Sequence, residues 1–466
     1  MAIYRMYFDQ DATISTVSVS GNCGNSQILD VWSKFDDIKN KKYLARILAK
    51  VTLTGLNADI SSGIVPNPIT NSAVSAYLKL FNINHAEEQA FEYTLNVFPL
   101  TRIWSEGNGN RIDTFTHTGY TNWNYASSTA QWTSTGGDYV VDSNSGSQYF
   151  KSGFEDLTIN MKNILNNWLN GSSANCGILV KMDDIAETLT GSLTTNTQFY
   201  RKSFHSRTTN YPIFSPYIEL QWSDEIKDYR NIVKVGTSSN LYFYNVVNGI
   251  FTDIDSITGN FPGNIVLSGS TAGTTASSSS FVSILTGLTG SRIKTGIYSV
   301  TFTLPNSASV YNIFKDKWTI TSSSSAISTS AIFNFNIASS INPNDNYENK
   351  NFNVKLLNFK NEILKGTNII QKIFVKQELT QNRVLTAGTT ALSSFTVEDG
   401  YYRLVADKIN FTEIDWSPLS FDKNYNFFNI NTNNFSRNID YRIDLKFNIN
   451  GNVYIFSDIN NIFKII

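Results

Sequence analysis

The sequence predicts an all-β protein: an N-terminal jelly-roll-like antiparallel sandwich followed by one or two smaller β-sandwich domains. Three observations carry this. The polar residues are mainly Ser, Thr and Asn, which compete with helical hydrogen bonds and favour turns. The apolar share is rich in aromatics, with 31 Phe, 23 Tyr and 8 Trp in 466 residues, and these side chains suit a pleated, half-buried surface. Short apolar runs of alternating character are separated throughout by Gly, Asn, Ser and Pro clusters, the punctuation of a sandwich.

The elements follow in order. Ala45, Ile47, Ala49, Val51 and Leu53 alternate with Arg46, Leu48, Lys50 and Thr52, and Phe91, Tyr93, Leu95 and Val97 with Glu92, Thr94 and Asn96. Further strands are predicted at Thr13–Val19, Ala76–Phe81, Gly177–Lys181, Gln198–His205 and Tyr217–Trp222. One helix is predicted over Met161–Leu169, where Ile164, Leu165, Trp168 and Leu169 recur at helical spacing before an Asn170-Gly171 stop. Beyond Trp222 strands are predicted at Leu241–Val247, Ile265–Leu267, Phe281–Leu285 and Gly296–Leu304, with a flexible Ser-rich loop from Ser268 to Ser280. Asn342–Asn346 reads as a linker. After it, Val354–Phe359, Ile369–Val375, Phe395–Val397, Tyr401–Ala406 and Tyr441–Ile449 read as strands. The expected domains are therefore 1–224, 225–341 and 342–466.

Composition also bounds function. With 37 basic and 38 acidic residues and a net charge of -1, the chain lacks the concentrated basic surface that holding nucleic-acid phosphates requires. A hydrophobic content of 41% is too high for a disordered chain. No apolar segment of about 20 residues is present, so no membrane contact is expected. The N-terminus, Met1 to Phe8, runs directly into polar residues without a signal-peptide pattern, and the chain is expected to be soluble. Cys23 and Cys176 stand alone and read as buried free thiols.

The densest stretch runs from Leu100 to Asp138. Trp104, Trp123 and Trp132, with Tyr120 and Tyr125, are candidate glycan or interface contacts, because sugar C–H faces pack on aromatic rings. The other reading makes the Trp residues core anchors that hold long loops to the sandwich, and the usual burial of Trp favours it. Glu106, Asn108, Asn110 and Asp113 offer spaced oxygen ligands for Ca²⁺, although the spacing is not that of an EF-hand loop. Catalytic signals are thin. His85, His117 and His205 lie far apart, no nucleophile elbow or His-Glu-x-x-His pair occurs, and Asp36-Asp37, Glu87-Glu88 and Asp183-Asp184 read as solvated surface. No catalytic residue, metal ligand or cofactor is assigned, and no enzyme is expected.

Residues 1 to about 224 resemble virion structural proteins of tailed phages, notably T4-like phages of marine bacteria and cyanobacteria. The N-terminal region of that family is in turn similar to the DNRLRE-type β-sandwich of bacterial surface proteins. The resemblance lies, in order, in Asp11-Ala12-Thr13-Ile14, Tyr43-Leu44-Ala45-Arg46-Ile47-Leu48, Tyr77-Leu78-Lys79-Leu80 and Tyr93 to Leu100. It continues through Trp104 to Gly109, Asn122-Trp123, Trp132, Gly136-Gly137-Asp138, Trp168 to Gly171, Asn175 to Lys181 and Ser215 to Trp222. It implies a structural role for Arg46 and the Trp residues and a protein of capsid, neck or tail that works by assembly. A virion made in a host cytoplasm reconciles a surface-protein composition with the missing export signal. The implied partners are other virion proteins and further copies of the chain in a symmetric oligomer, without direct nucleic-acid contact. The alternative is a carbohydrate-binding adhesion module that contacts host surface glycans.

Overall fold

The structure, a computed structural model, describes residues 1–36, 39–84, 90–110, 120–142, 144–188, 199–254, 261, 263–272, 277, 280–321, 328–337, 351–378, 396–449, 451–457 and 461–466. The chain is all-β, with several antiparallel sheets, and divides into two compact units: Ala2–Ser223, and Asp224–Ile466 together with Met1.

The first unit holds β1 (Ala2–Tyr7), β2 (Gln10–Ser15), β3 (Ile28–Asp36), β4 (Lys41–Lys50), β5 (Ser75–Leu80), β6 (Tyr93–Pro99), β7 (Gly146–Phe150), β8 (Leu157–Asn160), β9 (Ile178–Met182), β10 (Phe199–His205) and β11 (Tyr217–Trp222). One sheet has the order β1-β11-β5-β8. The other runs β10-β3-β4-β9-β6-β7, with β2 also paired to β4. Alternation places the inner faces: Ala76, Leu78 and Leu80 of β5 meet Leu29 and Val31 of β3, Leu95 and Val97 of β6 and Val180 of β9 in one core. Each Leu or Val side chain so removed from water stabilises the fold by roughly 1.5–3 kcal/mol.

Helix α1 spans Thr54–Ser61, α2 Lys162–Leu169 and α3 Asp184–Thr188. The expected helix is α2. It buries Ile164, Leu165 and Trp168 and stops at Asn170 before Gly171, whose φ of 76° suits glycine. The other two were not expected from periodicity, because each buries a single side chain, Leu56 and Ala186. The first expected strand also starts earlier and ends at Ser15 rather than Val19. The Ser15 hydroxyl donates to the Leu44 carbonyl and the Leu44 N–H donates to Thr16 Oγ1, and a turn then closes from Gly21 N–H to the Ser18 carbonyl.

The second unit begins with β12 (Ser238–Tyr244), β13 (Val246–Val247), β14 (Ile250–Phe251), β15 (Gly263–Ser270), β16 (Val282–Leu288), β17 (Ser291–Lys294), β18 (Ile297–Thr303), β19 (Ile313–Thr321) and β20 (Ser328–Phe335). Sheets β12-β18-β17 and β16-β15-β19-β20 share a core built on Leu241, Phe243, Tyr298, Val300, Leu267 and Trp318. The strands β13 and β14 form a hairpin across Asn248-Gly249, both at positive φ as a two-residue turn requires.

Next come β21 (Asn351–Leu357), β22 (Glu362–Ile363), β23 (Asn368–Glu378), β24 (Gly400–Ala406), β25 (Phe411–Pro418), β26 (Ser420–Phe421), β27 (Asn426–Asn431), β28 (Asp440–Ile449), β29 (Asn452–Phe456) and β30 (Ile462–Ile465). They form sheets β21-β23-β27-β26 and β22-β30-β28-β24-β25, with β29 on β28. Tyr402 of β24 stacks on Phe428 of β27 at 4.0 Å, joining the two layers. Of the strand expected at Phe395–Val397, Phe395 lies outside the described residues and Thr396-Val397 is not a strand. The Asn426 side chain accepts from Val397 N–H and donates to its carbonyl, doing the work of a neighbouring strand. The expected loop from Ser268 begins inside β15, which runs to Ser270. Part of the remainder, and all of Asn342–Asn346, lie outside the described residues.

Candidate functional site

The seven-stranded sheet has a second apolar cluster apart from the inter-sheet core. Ala12, Ile14, Leu48, Phe98, Leu100 and Leu179 pack there against Trp104, Trp123, Trp132, Ala126 and Cys176. All three indoles are buried, with at most 7% of their surface exposed, so a sugar-stacking platform is corrected to an anchoring role. Trp104 Nε1 donates to the Cys176 carbonyl at 3.1 Å and Trp132 Nε1 to the Asn122 carbonyl at 3.0 Å. Tyr125 is 37% exposed and its hydroxyl accepts from Gln131 Nε2, while Tyr120 is half-buried. Cys23 and Cys176 are free and buried.

The same cluster explains two sequence features. Arg46 lies 5.1 Å from the Trp123 ring, donates to the Gly136 carbonyl at 2.9 Å and pairs bidentately with Glu187, which Lys181 also approaches at 3.1 Å. Gly136 sits at φ 90°, where a Cβ would come within 2.8 Å of both Trp123 and Arg46. Gly136→Ala is expected to destabilise the first unit by about 3 kcal/mol or more through strain and overpacking, read as a lowered urea midpoint.

The proposed Ca²⁺ ligands do not converge on a cation. Glu106 Oε1 accepts from Asp11 N–H at 2.7 Å and from Arg207 Nε at 2.6 Å, and Oε2 from the other Arg207 nitrogen at 2.5 Å. A guanidinium therefore occupies the carboxylate that a calcium ion would need. Asn108 and Asn110 are exposed, and Asp113 lies outside the described residues. Among the described residues no cluster of three or more His, Cys, Asp or Glu side chains is arranged to hold a metal.

Behind Glu106 is a buried polar clasp. Asn22, fully buried, donates through Nδ2 to the carbonyls of Glu106 at 2.7 Å and Thr121 at 2.8 Å, and accepts from Gly109 N–H at 2.8 Å and Gly24 N–H at 3.2 Å. The chains approach so closely that a Cβ on Gly109 would lie 2.0 Å from the Asn22 carbonyl oxygen. Beside the clasp Asp11, 1% exposed, accepts from Arg207 N–H at 2.7 Å through one oxygen while its other oxygen is buried without a partner. Burial foremost pushes its pKa up to about 7. The Arg207 N–H opposes that shift and the Glu106 charge adds to it.

Other candidate chemistry is dispersed. Asp183 Oδ1 accepts from Ala186 N–H at the start of α3, and Asp184 pairs with Lys181 at 2.5 Å, so this carboxylate pair anchors a helix. His205 Nδ1 shares a hydrogen bond with Thr209, and its ring stacks on Phe214. His85, His117, Asp37, Glu87 and Glu88 lie outside the described residues.

The open part of the seven-stranded sheet carries a groove of about 700 Å³ that the sequence did not reveal. In β3, Leu29, Val31, Ser33 and Phe35 are buried, while Ile28, Asp30, Trp32, Lys34 and Asp36 line the groove. Register then assembles the rest. Lys34 lies between Phe199 of β10 and Tyr43 of β4, Trp32 lies opposite Arg201, and Asp30 opposite Ser203. Phe199 is 47% exposed, and Lys34 Nζ lies 5.7 Å from its ring. Asp30 Oδ1 accepts from the Ser203 hydroxyl at 2.5 Å and from Arg201 at 3.3 Å, whereas Arg201 Nε takes no partner. Asp36 pairs with Lys39 at 3.8 Å.

No protein-family model matches the sequence, and comparison with curated proteins finds no relative. Among solved structures, a titin fragment, A168169, is similar at 8% identity over 53% of this chain and 96% of that chain, with a TM-score of 0.15. Titin domains Z1Z2, solved in complex with telethonin, give 10% identity, 50% and 90% coverage and a TM-score of 0.14. A DUF4785 family protein from Legionella pneumophila gives 10% identity, 99% and 89% coverage and a TM-score of 0.15.

Proposed function

We propose that the chain is a structural protein of a tailed-phage virion that acts by protein–protein assembly, in repeated symmetric copies put together in the host cytoplasm. In this reading it catalyses nothing, and its task is contact. The observation that supports it most is the β13–β14 hairpin, which presents Val246, Val247, Ile250 and Phe251 to solvent, Ile250 at 68% exposure. Val453 and Ile455 of β29 are similarly exposed. A freely diffusing monomer gains nothing from apolar side chains on a short hairpin, whereas a subunit with permanent neighbours buries them. The near-zero net charge fits broad interfaces held by shape and hydrogen bonds rather than genome contact.

Two measurements test this. Mass spectrometry of washed particles is expected to find the chain, and electron microscopy to place it at symmetric positions. Its absence from washed particles overturns the proposal. The double substitution Val247→Lys and Ile250→Asp, which sets opposite charges on a directly paired position, is expected to leave the melting temperature of the isolated chain unchanged while abolishing its incorporation.

A further inference from the structure

We infer that the groove on the seven-stranded sheet of the first unit is a binding site for an anionic oligosaccharide, a saccharide that carries carboxylate groups. The inference stands apart from the assembly reading, because it uses a different face and different residues.

The groove holds three aromatic side chains at fixed lateral spacing. Phe199 and Tyr43 flank Lys34 on adjacent strands, so two strand spacings of about 4.8 Å set their backbones roughly 10 Å apart. Trp32 lies one pleat further along β3. Rings held by a sheet at such separations offer flat faces to successive sugar rings, whose C–H surfaces pack on aromatic carbon while their hydroxyls need hydrogen-bonding groups alongside. Those groups are present. Asp30, Ser26 and the exposed Asn110 line the groove.

The charges select the ligand further. Both carboxylates in the groove are already engaged: Asp30 accepts from Ser203 and Arg201, and Asp36 is tied to Lys39. Among the described lining residues, the exposed ammonium of Lys34 between two rings remains available, whereas Arg201 is already paired with Asp30 and its Nε is buried. A carboxylate on a bound sugar would pair with Lys34. Other ligands fit less well. A nucleic-acid backbone carries a phosphate at every nucleotide and needs several free cations side by side, whereas Lys39 and Arg201 in this lining are already paired with Asp36 and Asp30. A peptide strand would find no free ladder on the face of a sheet, because backbone donors and acceptors lie along sheet edges.

The test is calorimetric titration of the full chain with short oligomers of galacturonic acid and of sialic acid, with maltooligosaccharide as the neutral comparator. At least one acidic oligomer is expected to bind, more weakly as salt is raised, and the neutral oligomer at least about tenfold more weakly. Trp32→Ala is expected to weaken binding about tenfold or more, and Lys34→Gln to bring acidic and neutral affinities together, with melting temperatures unchanged. If Trp32→Ala lowers the melting temperature, Tyr43→Ala supplies the same reading from the exposed rim. Absence of binding by both acidic oligomers, equal affinity for the neutral one, or binding indifferent to Lys34→Gln and to the ring substitutions each overturns the inference.

Discussion

Asn22→Ala is expected to lower the unfolding free energy of the first unit by about 4 kcal/mol, although the side chain removed is small and polar. Asn22 satisfies two carbonyls and two N–H groups from four different residues, all in a site with no exposure. Deleting it leaves these groups buried and unpaired, at a cost of roughly 1–3 kcal/mol each where water does not enter. Urea unfolding followed by Trp fluorescence measures the loss. Asn22→Asp is expected to be comparably harmful, because a carboxylate cannot donate to the Glu106 and Thr121 carbonyls. A loss below about 1 kcal/mol for Asn22→Ala would mean that water replaces the amide and that the clasp is not a main stabiliser of this unit.

The second large effect is pH-dependent and opposite in sign. Asp11 in the folded unit ionises at about 7 instead of its ordinary 3.8, burial being the main cause. Below pH 4 the carboxyl is protonated in folded and unfolded chains alike and contributes no difference. Between pH 4 and 7 the unfolded chain loses this proton while the folded chain keeps it, so stability falls as pH rises. Above 7 the deficit levels off at about 4 kcal/mol. Asp11→Asn retains an acceptor for Arg207 N–H and removes the buried charge. The variant is expected to be more stable than the parent above pH 7 by up to about 4 kcal/mol, with the two converging near pH 4. Parallel stability–pH curves for parent and variant would remove Asp11 as the titrating group.

Much of the first unit was legible because its strands alternate cleanly: β5, β6 and β11 lie within two residues of where their apolar periodicity placed them. The strand β19 of the second unit was hidden by charge. In β19, Phe314, Asp316 and Trp318 are all buried, and Asp316 is held by Arg230 at 2.6 Å and by Trp318 Nε1 at 2.7 Å. A Lys-Asp-Lys run reads as solvent-facing until its partner, 86 residues earlier, is known. The site followed the same logic in reverse. The Trp-dense stretch from 104 to 132 offered both a surface and a core role, and it is core, as the usual burial of Trp favoured, because a long loop lying on a sheet needs bulky anchors. The isolated Trp32 sits among charges and belongs to the groove, and its companions Tyr43 and Phe199 are distant in sequence. Only strand register brings them together. The alternation of Leu29, Val31 and Phe35 was the available signal that β3 shows its Trp outward.

The pairing of β1 with β11 bears on how this protein is born. Ala2 lies opposite Trp222, and the Arg207 backbone reaches Asp11 across 196 residues. At a synthesis rate of about 5–20 residues per second, the first strand leaves the ribosome roughly 10–40 s before its partner exists. During that interval the apolar side chains of β1, Ile3 and Met6, have no closing strand, and their burial waits for a slow long-range closure. A fragment that ends before Tyr217 therefore lacks the strand that pairs with β1 along its whole length.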